Sequence, residues 1–133
     1  MRSEVIELHT GTRRFTDVTQ SLNDFCSSEG DGLVHAFVPH ATAGLAIMET
    51  GSGSEADLSG VLDEVFPRDD RWSHSHGSSG HGADHVIPAF VAPSITVPVI
   101  GGRLQLGTWQ SLVLVDTNVD NPTRKLRLSF LPA

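Results

Sequence analysis

A chain of 133 residues, 38% hydrophobic and 19% charged, has the size and composition of one folded domain spanning residues 1–133, not of an extended disordered polymer. A formal charge of −7 with only nine lysines and arginines argues against a general nucleic-acid binder, because phosphate binding draws on cations, yet leaves room for a small anionic ligand held by one local arginine. Cys26 is the sole cysteine, so no internal disulfide can form; with no apolar run long enough to cross a bilayer and no basic-then-apolar leader, a cytoplasmic location without a membrane partner is expected.

In chain order, Glu4 to Thr10 carries Val5, Ile6 and Leu8 and predicts an opening strand. Asp17 or Thr19 can cap a short helix in which Val18, Leu22, Phe25 and Cys26 share one face, and Gly30-Asp31-Gly32 ends it. That face makes Cys26 a buried thiol rather than a reactive one. Leu33 to Val38 is a short uncharged run of branched and aromatic residues stopped by Pro39, which predicts a central strand with His35 on the side of Leu33 and Phe37. Leu45 to Glu49 predicts the next strand and sets a carboxylate on the side of Leu45 and Ile47. Ser52 with Glu55, or Ser54 with Asp57, has capping-box spacing, and Leu58, Val61, Leu62 and Val65 form the stripe of a helix buried on one face. Pro67 closes it.

The stretch from His74 to His85 holds four of the seven histidines among glycines and serines. It has too little apolar material for a core, so its order requires a metal, a ligand, a second subunit or polar contacts with its flanks. Beyond it, Val86 to Val91 is broken by Pro88, as a helical turn or an irregular edge. Ser94 to Val99 alternates cleanly, with Pro98 pointing to an edge or bulge, and Gly101-Gly102 predicts a hairpin into Arg103–Leu106. Gly107 allows a bulge before Thr108-Trp109-Gln110; Ser111 to Val115 resumes the strand. Arg124 to Phe130 alternates with Leu126, Leu128 and Phe130 inward, and is expected to pair with the preceding strand through the turn Asn118–Thr123. The resulting fold class is α+β, mostly antiparallel sheets with two principal helices; helices so few cannot cover both faces of a parallel sheet.

A metal site here must be built from histidine and carboxylate, since one cysteine cannot supply a thiolate set. The His81/His85 pair has chelating spacing on a helix, which Gly80 and Gly82 disfavour, and no spacing matches a known metal signature. The loop histidines therefore have three readings: metal ligands, partly solvated groups making structural hydrogen bonds, or an adventitious metal-binding surface. Without a metal, histidine beside a carboxylate can run acid–base chemistry near neutrality. Arg103 can offer a bidentate fork to phosphate or carboxylate, Trp109 a stacking wall and Gln110 a neutral donor and acceptor; an ordinary surface charge and a packed indole are the plain alternatives.

Two segments carry a resemblance. Gly32 through Pro39-His40-Ala41-Thr42-Ala43-Gly44 with Glu49, and Pro93 to Val99 continuing through Gly102-Arg103 to Gly107-Thr108-Trp109-Gln110, resemble the YjbQ family, whose members are often described as secondary thiamine-phosphate synthases. The likeness spans nearly the whole chain. It implies a compact YjbQ-like α+β domain, a homotrimer and a polar pocket in which His40, Glu49 and His85 are catalytic candidates. Within it, His40, His74 and His85 are metal-ligand candidates for zinc or magnesium, and Arg103, Thr108, Trp109 and Gln110 are ligand-binding candidates. The implied activity is weak joining of a hydroxymethylpyrimidine diphosphate to a thiazole phosphate with release of pyrophosphate; beside it, the residues equally suit a metal-assisted hydrolase or transferase acting on a small phosphorylated metabolite. The competing expectation is a non-catalytic, metal- or small-molecule-binding trimeric module. Met48 stands where the family commonly has asparagine, and Ala41 where it has serine or threonine.

Overall fold

The computed structural model describes all 133 residues as eight strands, three α-helices and one 3-10 turn. Five strands make one antiparallel sheet in the order β1 (Arg2–His9), β8 (Thr123–Pro132), β3 (Gly32–Phe37), β5 (Ser94–Ile100), β6 (Arg103–Leu104). Three make a second, in the order β2 (Phe15–Asp17), β7 (Ser111–Asp116), β4 (Ala43–Met48). The helices are α1 (Thr19–Cys26), α2 (Ser54–Val65) and the short α3 (His81–Asp84), followed by a 3-10 turn at Ile87–Ala89. The α+β class with antiparallel sheets is therefore observed.

Period-2 alternation decides the layers. Val34 and Ala36 of β3, Val97 and Val99 of β5, and Leu126, Leu128 and Phe130 of β8 point inward and meet Leu45, Leu112 and Leu114 of the small sheet. Val18, Leu22, Phe25 and Cys26 from α1 and its N-cap join this core, and Asp17 accepts the Thr19 N–H (2.9 Å) at the helix start. Burial pushes the Cys26 thiol up, in keeping with an inert buried cysteine. The other face of the small sheet, through Val113, Val115, Ala46 and Met48, packs on Leu62 and Phe66 from α2 and on Ala83 and Ile87. The small sheet is thus the middle layer, and its far side is where the histidine loop sits.

Several local expectations change. Residues 117–122 carry the chain from one sheet to the other, so β8 pairs with β1 and β3, while β7 pairs with β2 and β4. The connection is shaped by side chains: Asp116, Asn118 and Asn121 each accept an N–H two residues on. A tight hairpin is not available to it. On α2, Leu62 is buried but Val61 and Val65 are 53% and 57% exposed, so the buried line runs Leu58, Leu62, Phe66. Neither capping box forms; Gly53 is the N-cap and Glu55 reaches back to the Gly51 N–H (2.8 Å). β6 ends at Leu104, two residues short of the expected strand.

Pro98 pairs opposite Leu33 inside the sheet. Its carbonyl accepts the Gln105 N–H, and a strand residue's N and O point to the same side, so its missing donor faces short β6 and not β3. Gly101 and Gly102 both have positive φ, as a two-residue hairpin of this kind needs.

Candidate metal centre

Helix α2 ends at Phe66, which packs into the second core, and the chain then runs along the edge of the molecule to α3. Trp72 anchors this run: its ring packs on the second core and its indole N–H donates to the Pro67 carbonyl (2.8 Å). Arg68 does the same for the far end, donating to Asp84, to the Thr117 carbonyl (3.3 Å) and to Ser78 (3.3 Å). Thr117 donates to the same Asp84 oxygen (2.5 Å). Asp84 is fully buried, and a buried carboxylate persists only when its charge is met this way.

The glycines make the packing close enough. Gly80 has φ +74 and lies against the Arg68 backbone, and Gly82 lies against Trp72 and the His74 carbonyl, with no room for a side chain at either. Gly80 is also the N-cap from which α3 starts, so the glycines that lower helix propensity here are the ones that allow this single turn. His81 and His85 consequently stand at i and i+4 on one face, with their Nε2 atoms 2.9 Å apart.

His74 completes the group. Its ring centroid is 3.9 Å from that of His85 and 5.6 Å from that of His81, and one nitrogen from each of the three lies within 4.8 Å of the others. Nε2 of His74 is buried with no hydrogen-bond partner. Three ligands around tetrahedral zinc have nitrogens about 3.4 Å apart, from bonds of about 2.0–2.1 Å, a spacing that falls inside the 4.8 Å within which these three nitrogens lie. Burial first, and the neighbouring imidazoles second, hold the His74 and His85 rings below their usual pKa and so in the neutral state a metal requires. Nδ1 of His81 faces Asp120 Oδ2 at 3.2 Å and Asp84 Oδ2 at 3.4 Å. Hydrogen bonding from the Ser78 N–H holds the Asp120 carboxyl below its usual pKa. The His76 ring lies tilted against that of His74, with ring centroids 4.0 Å apart. A hollow of about 210 Å³ opens beside these rings, lined by Asp69, Asp70, Trp72 and the serines of the loop.

Of the residues nominated from the sequence, His74 and His85 meet, and the third member is His81, not His40. His40 Nε2 accepts the Lys125 N–H (2.8 Å), and its ring lies in the field of Arg124 and Asp116, a fully buried ion pair between β8 and β7. Glu49 is exposed just past β4. Arg103 lines a separate hollow with Gln20, Asn23 and Ser27 of the α1 region. Thr108, Trp109 and Gln110 are exposed on a turn closed by Gln110 on the Gly107 N–H (2.8 Å), and none lines the hollow at the histidines. Asp84 and Asp120 are additions to the nominated set: Asp84 is the only acidic residue within the 74–85 stretch, and its place beside His85 is the signal that marks it, whereas nothing in the order of residues marks Asp120.

A family profile described as UPF0047 protein YjbQ-like matches residues 4–133. A UPF0047 protein of Mycobacterium tuberculosis is 59% identical over 131 residues, covering 98% of each chain. One from Methanothermobacter thermautotrophicus is 31% identical over 132 residues, covering 96% of this chain and 90% of the relative. Among solved structures, a hypothetical protein from Aeropyrum pernix superposes with a TM-score of 0.88 at 28% identity over the whole of both chains. A conserved hypothetical protein from Thermus thermophilus gives 0.83 at 28% identity, covering 96% of this chain and 99% of that one.

Proposed function

The chain belongs to the YjbQ-like UPF0047 family, and from that premise we propose that it is a metal-dependent enzyme acting on a small phosphorylated metabolite, with thiamine-phosphate formation as a weak side activity. One observation carries the metal: three imidazole nitrogens within 4.8 Å of one another, one of them buried and unpartnered. A three-histidine set with an open position is the donor set of catalytic zinc, and it suits zinc better than magnesium, which prefers oxygen ligands. When bound, such an ion supplies Lewis-acid polarisation of a phosphoryl oxygen and offsets charge on a departing phosphate.

The chain's own residues do the rest. His74, His81 and His85 would hold the ion, with His74 and His81 reaching the hollow that Trp72 and the glycine–serine loop also line. The hollow's size suits one small metabolite or a part of it.

A second reading has its own observation. Arg68 is bound to Asp84 and Arg71 to Asp69 (2.8 Å), so no free guanidinium stands beside the rings to receive a diphosphate. That favours a metal-binding module without phosphoryl chemistry.

Metal content and turnover separate these readings. Protein purified with zinc is expected to hold one ion per chain. His74→Ala, His81→Ala and His85→Ala are each expected to lose it while keeping the wild-type circular dichroism spectrum. With hydroxymethylpyrimidine diphosphate and thiazole phosphate as substrates, zinc-loaded protein should release pyrophosphate slowly, and the three variants should not. Zinc binding without turnover on any phosphorylated metabolite would leave the binding module; full zinc occupancy in all three variants would remove the site.

A further inference from the structure

The histidine centre is approached by a third segment from far along the chain. The connection between β7 and β8 carries Asp120, whose Oδ2 accepts the Ser78 N–H (3.0 Å) and lies 3.2 Å from His81 Nδ1. Asp84 Oδ2 lies 3.4 Å from the same nitrogen on the other side. Neither contact to Nδ1 is a formed hydrogen bond; both are charge contacts at or beyond the outer limit of N–H···O distance. The His81 side chain is only 7% exposed, so the ring cannot turn to water to relieve a mismatch.

A neutral imidazole carries one N–H and one lone pair. A lone pair on Nδ1 aimed at two carboxylate oxygens would be repelled by both, whereas an N–H is attracted by both. The proton therefore belongs on Nδ1, which leaves the lone pair on Nε2, the nitrogen 2.9 Å from His85 Nε2.

The two carboxylates are not equivalent. Asp84 is committed to Arg68 and Thr117, and its loss would strand a buried arginine contact. Asp120 is 35% exposed in its side chain and is otherwise tied only to the Ser78 N–H. Its approach also depends on Gly77, where a Cβ would stand 2.7 Å from Asp120 Oδ2 and 3.1 Å from the His81 ring.

We propose that Asp120 is a positioning residue for the metal centre, setting the His81 tautomer and orientation so that Nε2 is presented to the ion. This rests on the reading of His74, His81 and His85 as ligands. Carboxylates in this relation to a ligating histidine change metal affinity by about 10- to 100-fold.

The test uses full-length protein carrying Asp120→Asn, which keeps an acceptor for Ser78, and Asp120→Ala, with Glu64→Gln, an exposed acid on α2 outside the hollow, as the control. Zinc affinity is read by competition with a chromophoric chelator, folding by thermal unfolding, and the tautomer by imidazole nitrogen NMR shifts on zinc-stripped protein. Expected are a weakening of about 10- to 100-fold in the Asp120 variants, little change in Glu64→Gln, and Nδ1–H at His81 in the wild type giving way to a mixture in Asp120→Asn. Zinc affinity within about twofold of wild type in both folded Asp120 variants overturns the proposal, as does an Nε2–H tautomer at His81 in the wild type. If wild-type protein binds no zinc, the ligand reading fails, and the nitrogen shifts alone decide whether Asp120 orients His81. Should Asp120→Ala not fold, Asp120→Asn carries both measurements.

Discussion

His40 shows how one side chain can be well placed and still serve structure in a single chain. Its Nε2 accepts the Lys125 N–H, which requires a lone pair there and so a ring unprotonated at that nitrogen. Burial first, and the Arg124 guanidinium second, lower its pKa from the usual value. A histidine whose folded pKa is depressed stabilises the native state above its unfolded pKa, and that contribution is lost as pH falls through the unfolded value, about 6.5, toward the lower folded one. His74 and His85 are shifted the same way, so stability should decline as pH falls below about 6.5. In His40→Gln the decline should be shallower than in wild type, measured as thermal midpoint against pH. An unchanged slope would mean that His40 is not among the groups responsible.

At the scale of elements, the difference between a pattern and its use is clearest on α2. Four apolar residues at helical spacing suggest a broad buried stripe, yet only the Leu58–Leu62–Phe66 line meets the small sheet. Leu62→Ala should cost about 2–5 kcal/mol in denaturant unfolding. Val61→Lys and Val65→Lys should each fall within about 0.5 kcal/mol of wild type, as expected for exposed positions. A large loss at Val61 would place a partner on that face. Helix α3 teaches the complementary lesson. Gly80 and Gly82 lower helix propensity, but Gly80 is used for its left-handed φ and Gly82 for its lack of a side chain, and the packing against Arg68 and Trp72 outweighs propensity over four residues.

For the whole molecule, three layers bring a loop at 74–85 and a connection at 117–122 to the same side of the small sheet. Their meeting makes one polar centre from segments distant in sequence, Ser78 and Asp120 being 42 positions apart. His40, Glu49, Arg103 and the Thr108–Gln110 turn stand outside that centre in one chain. We keep the homotrimer that the family resemblance implies as part of the proposal, since neighbouring copies would be the route by which those residues reach it. Sedimentation equilibrium should return the mass of three chains, and a single-chain mass would confine the site to the residues of one protomer.

The amino-acid order by itself determined the α+β class, the buried faces of α1 and β8, the Gly101-Gly102 turn, and the histidine-rich loop as the place to look for a metal, because each depends on neighbours within a few residues. It also marked the loop histidines as candidate ligands, since histidine is uncommon enough to stand out, while the family resemblance narrowed them to His74 and His85. Only the tertiary structure decided that β7 and β8 lie in different sheets, that His81 joins the centre instead of His40, and that Asp84 and Asp120 flank it. The reason is physical: sheet partnership, burial of an ion pair such as Asp116–Arg124, and the convergence of rings on one point are set by contacts between distant segments, which local periodicity does not encode.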